Sequence, residues 1–121
     1  MSKFAPDITL DAALDYIAAC TRMDIVSDVS TPTDLTNTVA NVTLTAGAGN
    51  GDYTKADGTS GRKVSVAAQS DVPITDTGAC NHIVLSLAGV IRYVTTGDGQ
   101  TLYSSGTVDL PAFDIQFNDP T

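Results

Sequence analysis

The last third of the chain, residues 81–117, consists of short runs of β-branched, aromatic and apolar residues separated by Gly, Asp and Ser. Such runs are typical of antiparallel strands joined by tight turns. They predict strands over 82–87, 90–96, 101–103 and 107–117. Two glycine-containing segments, Ala88-Gly89 and 97–100, have the length and composition of hairpin turns.

Earlier in the chain the same pattern predicts strands over 23–29, 38–46 and 63–69, with a weaker one over 72–77 that contains Pro73. Alternation is clearest where Ala40, Val42 and Leu44 are expected on one face and Asn41 and Thr43 on the other. The segments 46–53 and 53–63 are rich in glycine and polar residues and predict loops.

One segment has helical rather than strand periodicity. Apolar residues at helical spacing predict an α-helix over residues 9–21, with Asp7 or Thr9 able to cap its start. The residues of its apolar face are Leu10, Ala13, Leu14, Ile17 and Ala18. This face fits either an edge of the sheet or a partner subunit. Residues 1–8 are expected to form an arm, either frayed or ordered against a neighbouring subunit.

Together these elements predict an all-β fold, an antiparallel, jelly-roll-like β-sandwich of seven or eight short strands with one N-terminal helix. We expect a single domain over residues 1–121, because no linker or internal repeat divides the chain. The N-terminus lacks a long apolar run, so neither a signal peptide nor a membrane anchor is predicted. Synthesis in the cytoplasm with Cys20 and Cys80 reduced is expected.

The charge balance restricts the partners. The formal net charge is −8, with 14 acidic residues against 6 basic ones. We therefore expect no binding to nucleic acids or anionic membranes. The charge suits solubility, a basic protein surface or a weak cation site.

A catalytic or metal site is not predicted, and no cofactor is expected. Cys80 and His82 would share a face if both lay in one strand, and such a pair can form a nucleophile or two metal ligands. However, only Cys20 remains to complete a metal site, and no local motif orients the histidine. We interpret His82 as a strand residue and Cys80 as a small apolar residue.

Two loops carry the remaining candidate chemistry. Asp52 and Asp57 flank one loop and Asp98 lies in a turn, so a weak surface cation site remains possible. The basic residues Lys55, Arg62 and Lys63 form a small basic group that fits an acidic partner or a solvated loop.

Three segments together resemble small virion structural proteins of tailed bacteriophages and prophages. They are the helix at 10–18, the segment 52–66 and the C-terminal segment 106–120. The resemblance covers most of the chain. It implies a non-enzymatic, oligomeric virion protein, and favours a decoration (cement) protein that binds the major capsid protein outside the head as a trimer.

Two alternatives remain open. The first is a component of the tail, of a head spike or of a fibre base. The second is a carbohydrate-binding module, for which Tyr53 and Tyr103 are the aromatic candidates, although the chain has four Tyr and no Trp.

Overall fold

The computed structural model describes residues 7–47, 51–59 and 61–118. Within these ranges the chain forms one helix, α1 (Asp7–Ala18), and eleven short strands. The strands are β1 (Arg22–Val26), β2 (Thr38–Thr43), β3 (Tyr53–Asp57), β4 (Arg62–Val66), β5 (Gln69–Pro73), β6 (Gly78–Ala79), β7 (His82–Leu87), β8 (Val90–Thr96), β9 (Thr101–Leu102), β10 (Thr107–Leu110) and β11 (Phe113–Phe117). Every strand pair is antiparallel, which confirms the all-β antiparallel class with one N-terminal helix.

By its internal contacts the chain divides into two compact units that alternate along the sequence. The first unit comprises Met1–Ala19, Thr45–Ala68 and Pro111–Thr121, and the second comprises Cys20–Leu44 and Gln69–Leu110. Each sheet lies wholly within one unit. The expectation of a single domain over 1–121 stays a prediction.

The first unit contains a three-stranded sheet in the order β11-β4-β3, and α1 packs against β4 and β11. Its buried apolar side chains are Leu14, Ile17, Ala18, Tyr53, Val64, Val66 and Ile115. The helix therefore buries the side predicted from its periodicity, except that Ala13 is exposed. In β11 the alternation is as predicted, with Ile115 buried and Asp114 and Gln116 exposed.

The second unit contains a four-stranded sheet in the order β2-β1-β7-β8 and the two-stranded sheets β10-β5 and β6-β9. The central strands of the larger sheet contain most of its fully buried residues. These are Met23, Asp24, Ile25 and Val26 of β1 and Val84, Leu85 and Ser86 of β7. The strands predicted at 82–87 and 90–96 are confirmed with those bounds.

The predicted loop at 53–63 is wrong, because the structure has the β3–β4 hairpin there. The segment lacks the alternation of apolar residues because only Tyr53 of β3 is buried. The predicted strand at 107–117 is also wrong as one element. It is interrupted at Pro111, which has no N–H to donate, and β10 and β11 join different sheets.

The helix is shorter at its C-terminal end and longer at its N-terminal end than predicted. It ends at Ala18, whose carbonyl oxygen accepts a hydrogen bond from the main-chain N–H of Gly47 at 2.9 Å. Asp7 and Ile8 belong to α1 rather than to an arm, and the remainder of the predicted arm lies outside the described residues.

Candidate functional site

Cys80 and His82 do not form the pair that their spacing suggested. Cys80 lies at a bend before β7, where the N–H of Asn81 donates to the carbonyl oxygen of Ala79 at 3.0 Å. The main chain of Cys80 instead holds the turn at 97–100. Its N–H donates to Gln100 and its carbonyl oxygen accepts from Gly99, both at 2.8 Å. The two residues therefore do not share one strand face, and that expectation is wrong.

The Cys80 thiol is enclosed by protein. Only 5% of the residue is exposed, and burial raises the pKa of its thiol. A methyl group at Gly97 would lie 2.2 Å from the Cys80 carbonyl oxygen and 2.7 Å from Sγ, so the turn closes tightly over the residue. Cys20 is also a free, buried cysteine whose pKa is raised by burial. Both are poor thiolate nucleophiles, and for Cys80 this agrees with its interpretation as a small apolar residue.

His82 is half-buried and its ring is held by the main chain. Its Nδ1 lies 3.0 Å from the carbonyl oxygen of Asp28, and because a carbonyl oxygen only accepts, this bond requires a proton on Nδ1. The ring borders an open cleft of about 390 Å³. The cleft is lined by Val29, Asn81, His82, Thr96, Gly97, Asp98 and Gly99.

The cleft is lined by both polar and apolar residues. Its one carboxylate, Asp98, accepts a hydrogen bond from the N–H of Gln100 at 2.9 Å and so stabilises the turn. In the ranges 7–47, 51–59 and 61–118, no three His, Cys or Asp side chains are grouped to hold a metal ion. Asp52 and Asp57 do not form a cation site together, because each has its own partner. Asp52 accepts a hydrogen bond from the N–H of Thr45 at 2.6 Å, and Asp57 lies 2.7 Å from the Arg62 guanidinium.

The predicted basic group at Lys55, Arg62 and Lys63 is neutralised within the first unit. The Arg62 guanidinium lies 2.9 Å from Asp11 and 2.7 Å from Asp57. The Lys55 ammonium lies 3.0 Å from Asp15 and 3.5 Å from Asp11. These pairs connect α1 to the β3–β4 hairpin, so the two cations are engaged with the protein's own carboxylates rather than presented to an acidic partner.

The hydrogen bonds of these pairs change the acidity of the carboxylates. The hydrogen bond from Arg62 lowers the pKa of Asp11 below its ordinary value, and the positive charge of Lys55 adds to the effect. On β11, Asp114 accepts from the Ser65 hydroxyl at 2.6 Å and from Lys63 at 3.1 Å. The Ser65 hydroxyl, and then Lys63, lower the pKa of Asp114.

An ion pair in the second unit between a buried aspartate and a half-exposed arginine was not predicted from the sequence. Asp24 is fully buried at the centre of the sheet. Its carboxylate accepts hydrogen bonds from Arg22 Nε at 2.7 Å and from Arg22 Nη2 at 2.8 Å. The Thr38 hydroxyl donates to it at 2.8 Å. The signal was the Arg-x-Asp spacing, since residues i and i+2 of a strand share a face.

Apolar and acidic groups remain on the surface. The exposed large apolar residues, with their exposed fractions, are Ile8 (80%), Tyr16 (55%), Val29 (92%), Val90 (58%) and Tyr103 (68%). Tyr53, one of the two aromatic candidates for the alternative of glycan binding, is fully buried, so Tyr103 is the exposed one of the two. The second unit carries seven aspartates against two arginines, so its surface is acidic.

Comparison of the chain with protein-family models, curated proteins and solved structures finds no match. The resemblance to virion proteins therefore stays a prediction. In the part of the chain that the structure describes, no helix has both the length and the apolar character needed to cross a bilayer.

Proposed function

We propose that the protein is a structural component of a tailed-bacteriophage virion. Specifically, it is a decoration (cement) protein that binds the outside of the head and stabilises the lattice of the major capsid protein. In this role it acts as a homo-oligomer, with a trimer favoured by the resemblance, and catalyses no reaction. Its location is the capsid surface after synthesis in the host cytoplasm.

The observation that carries this proposal is the distribution of polar groups. Among the described residues both thiols are buried, and four cations form ion pairs with neighbouring aspartates. The imidazole is held by a carbonyl oxygen. The exposed apolar residues and the acidic residues at the surface are suited to packing against a partner and to charge complementarity rather than to catalysis.

The outward side of α1 is the surface that best suits a capsid contact. Ile8, Ala12 and Tyr16 recur at four-residue spacing and are all exposed. Residues four apart are neighbours on a helix, so the three form one apolar stripe. An exposed apolar stripe of this kind matches the apolar centre of a patch on a capsid protein.

Co-sedimentation tests the location. Purified protein is mixed with tailless capsids of its phage that lack it, and saturable binding is expected. The number of copies bound per capsid separates decoration of three-fold sites from binding at vertices. No binding, with the protein still present in whole virions, would instead support the alternative of a tail, head-spike or fibre-base component.

The contact surface is tested with two matched substitutions in the same assay. Ile8→Asp is expected to weaken capsid binding at least tenfold, because it places a charge in the apolar stripe. Val29→Asp introduces the same charge at an apolar residue of the second unit that, like Ile8, is exposed. It is expected to leave capsid binding unchanged. Equal loss in both variants would show that added negative charge, rather than the stripe, determines the effect.

The predicted arm is tested by deletion. Because α1 begins at Asp7, a deletion that spares the helix removes only residues 1–6. Weaker capsid binding with an unchanged circular dichroism spectrum is expected. Unchanged affinity would remove the arm from the proposal and leave the stripe as its tested contact.

A carbohydrate-binding function has weaker support. Tyr103 alone of the two tyrosine candidates is exposed, and one aromatic ring makes a small platform for a sugar. A glycan array with the intact protein separates this alternative from a structural role, since a structural component is expected to show no saturable glycan binding.

A further inference from the structure

Strand β8 forms an open edge of the four-stranded sheet. In the described ranges it pairs with β7 and with no other strand. Its seven residues include one charged side chain, Arg92, and neither Pro nor Lys. An edge of this length presents a row of main-chain N–H and C=O groups with which another strand can pair.

The opposite edge of the same sheet is partly covered by the second unit's own chain. Ala40 of β2 forms a bridge with Ile74, and the carbonyl oxygen of Val39 accepts from the N–H of Thr75 at 2.8 Å and of Asp76 at 3.2 Å. The sheet is therefore asymmetric, and β8 is the edge with the longer uncovered stretch.

The register determines which main-chain groups of β8 point away from β7. The N–H of Gly97 donates to the carbonyl oxygen of Asn81 at 2.8 Å, so these residues form a hydrogen-bonded pair next to the pair His82 and Thr96. Bonded and non-bonded pairs alternate in an antiparallel ladder. The main chain of Thr95 thus points toward β7, whereas that of Val94 and Thr96 points away.

The outward groups of Val94 and Thr96 lack main-chain partners among the described residues. Outside the strand ladder, Val94 and Thr96 make no main-chain hydrogen bond with other described residues. Polar main-chain groups at an edge are satisfied by water or by another strand, and only an extended chain matches the spacing of several such groups at once.

We propose that β8 pairs antiparallel with β8 of a second copy of this chain, about a two-fold axis near Val94. In this register the two Val94 residues face each other and exchange main-chain hydrogen bonds. Arg92 is the extra residue at the point where the register between β7 and β8 shifts, so the regular stretch that pairs is Tyr93–Thr95. Tyr93 lies opposite Thr95, a pair of an aromatic and a β-branched residue that favours strand pairing.

This inference is independent of the proposed virion function and differs from it in one measurable respect. The resemblance favours three copies, whereas pairing of one edge with itself produces two. The association is tested on the isolated protein, so its failure and the failure of capsid binding are separate results.

Sedimentation equilibrium over a wide concentration range gives the first test, with a mass of two copies expected. Each copy has a net charge of −8, so added salt is expected to strengthen the association by screening repulsion between copies. A single-copy mass at all concentrations, or a three-copy mass, would overturn the proposal.

Val94→Pro tests the edge itself. It removes an outward N–H and leaves the β7 ladder intact, so at least a tenfold rise in the dimer dissociation constant is expected. Thr43→Pro is the matched control on β2. The N–H of Leu44 donates to Thr21, so the N–H of Thr43 also points away from its neighbouring strand. This control is expected to leave association unchanged, and equal weakening in both variants would contradict the proposal.

Cross-linking gives a test that does not depend on tolerating proline. With Val94→Cys, the two new thiols would lie on the axis, within the Cα separation that a disulfide allows. A disulfide-linked dimer is expected on a non-reducing gel. Val90→Cys is the control, because the two Val90 residues would be about 26 Å apart in this register. Equal cross-linking at both positions would overturn the proposed register.

Discussion

The β7–β8 and β3–β4 hairpins are both antiparallel, yet different interactions hold them in place. In β7, Val84 and Leu85 are fully buried and the pattern of apolar residues is visible in the sequence. In the β3–β4 hairpin, Lys55 and Arg62 form ion pairs with aspartates of α1. The comparison shows that apolar burial leaves a local periodic signal, whereas ion pairs between distant segments leave none.

The two units also place their ion pairs differently. In the second unit Asp24 is fully buried and its partner Arg22 is half exposed. In the first unit both members of the pair of Lys63 and Asp114 reach solvent, with 30% and 50% of their side chains exposed. An exposed pair is screened by water and contributes little, whereas an unpartnered charge in a sheet interior is costly.

The largest expected effect on the free energy of unfolding comes from a substitution in the β7–β8 hairpin. Leu85→Ala removes a fully buried side chain and is expected to lower the free energy of unfolding by about 3 kcal/mol. Urea denaturation followed by circular dichroism measures this loss. Leu87→Ala, at a half-buried position of the same strand, serves as the control and is expected to cost less. Equal losses would show that burial in β7 does not determine its stability.

The second largest effect is expected when Arg22, the partner of the buried Asp24 carboxylate, is removed. Arg22→Ala leaves Asp24 with the Thr38 hydroxyl as its remaining described hydrogen-bond donor, and is expected to lower the free energy of unfolding by about 2 kcal/mol. The same urea titration measures it. Arg22→Lys keeps the positive charge but cannot make the bidentate hydrogen bonds to Asp24. It is expected to lower the free energy of unfolding by less than the alanine variant does. Full stability of the alanine variant would show that solvent replaces the guanidinium.

The ion pairs of α1 predict that the free energy of unfolding depends on pH in the acidic range. The folded-state pKa of Asp11 lies below its ordinary value of 3.8, so its ionised form adds stability above about pH 4. This contribution is lost as the pH falls through the folded-state pKa. Unfolding free energies measured between pH 2 and 6 should therefore fall less steeply for Asp11→Asn than for the unchanged protein. Parallel curves would contradict the prediction.

The smallest effect is expected for the exposed pair. Lys63→Ala breaks the contact with Asp114 and should change the free energy of unfolding by less than about 1 kcal/mol. Because Asp114 keeps the Ser65 hydroxyl, no charge is left without a partner. A loss as large as that of Arg22→Ala would remove the distinction between buried and exposed pairs on which the comparison depends.

Sequence reasoning located the candidate chemistry but not its surroundings. It identified Cys80, His82 and the basic residues at 55, 62 and 63 as the groups to consider. It could not find that Asp11 lies beside Arg62, because the two are 51 positions apart and brought together only when the helix packs on the sheet. Nor could it find that Tyr53, a candidate for the alternative of glycan binding, is fully buried.

The sequence by itself determined the all-β class, the N-terminal helix, and the bounds of β7 and β8, because these depend on local periodicity and turn residues. Tertiary structure alone decided that 53–57 is a strand, that 107–117 is divided between two sheets, and that Asp24 is fully buried. It also decided which edge of the larger sheet stays open. The physical reason is that strand pairing joins residues far apart in the chain, and that neighbouring strands, rather than any local window of sequence, determine which side chains are buried.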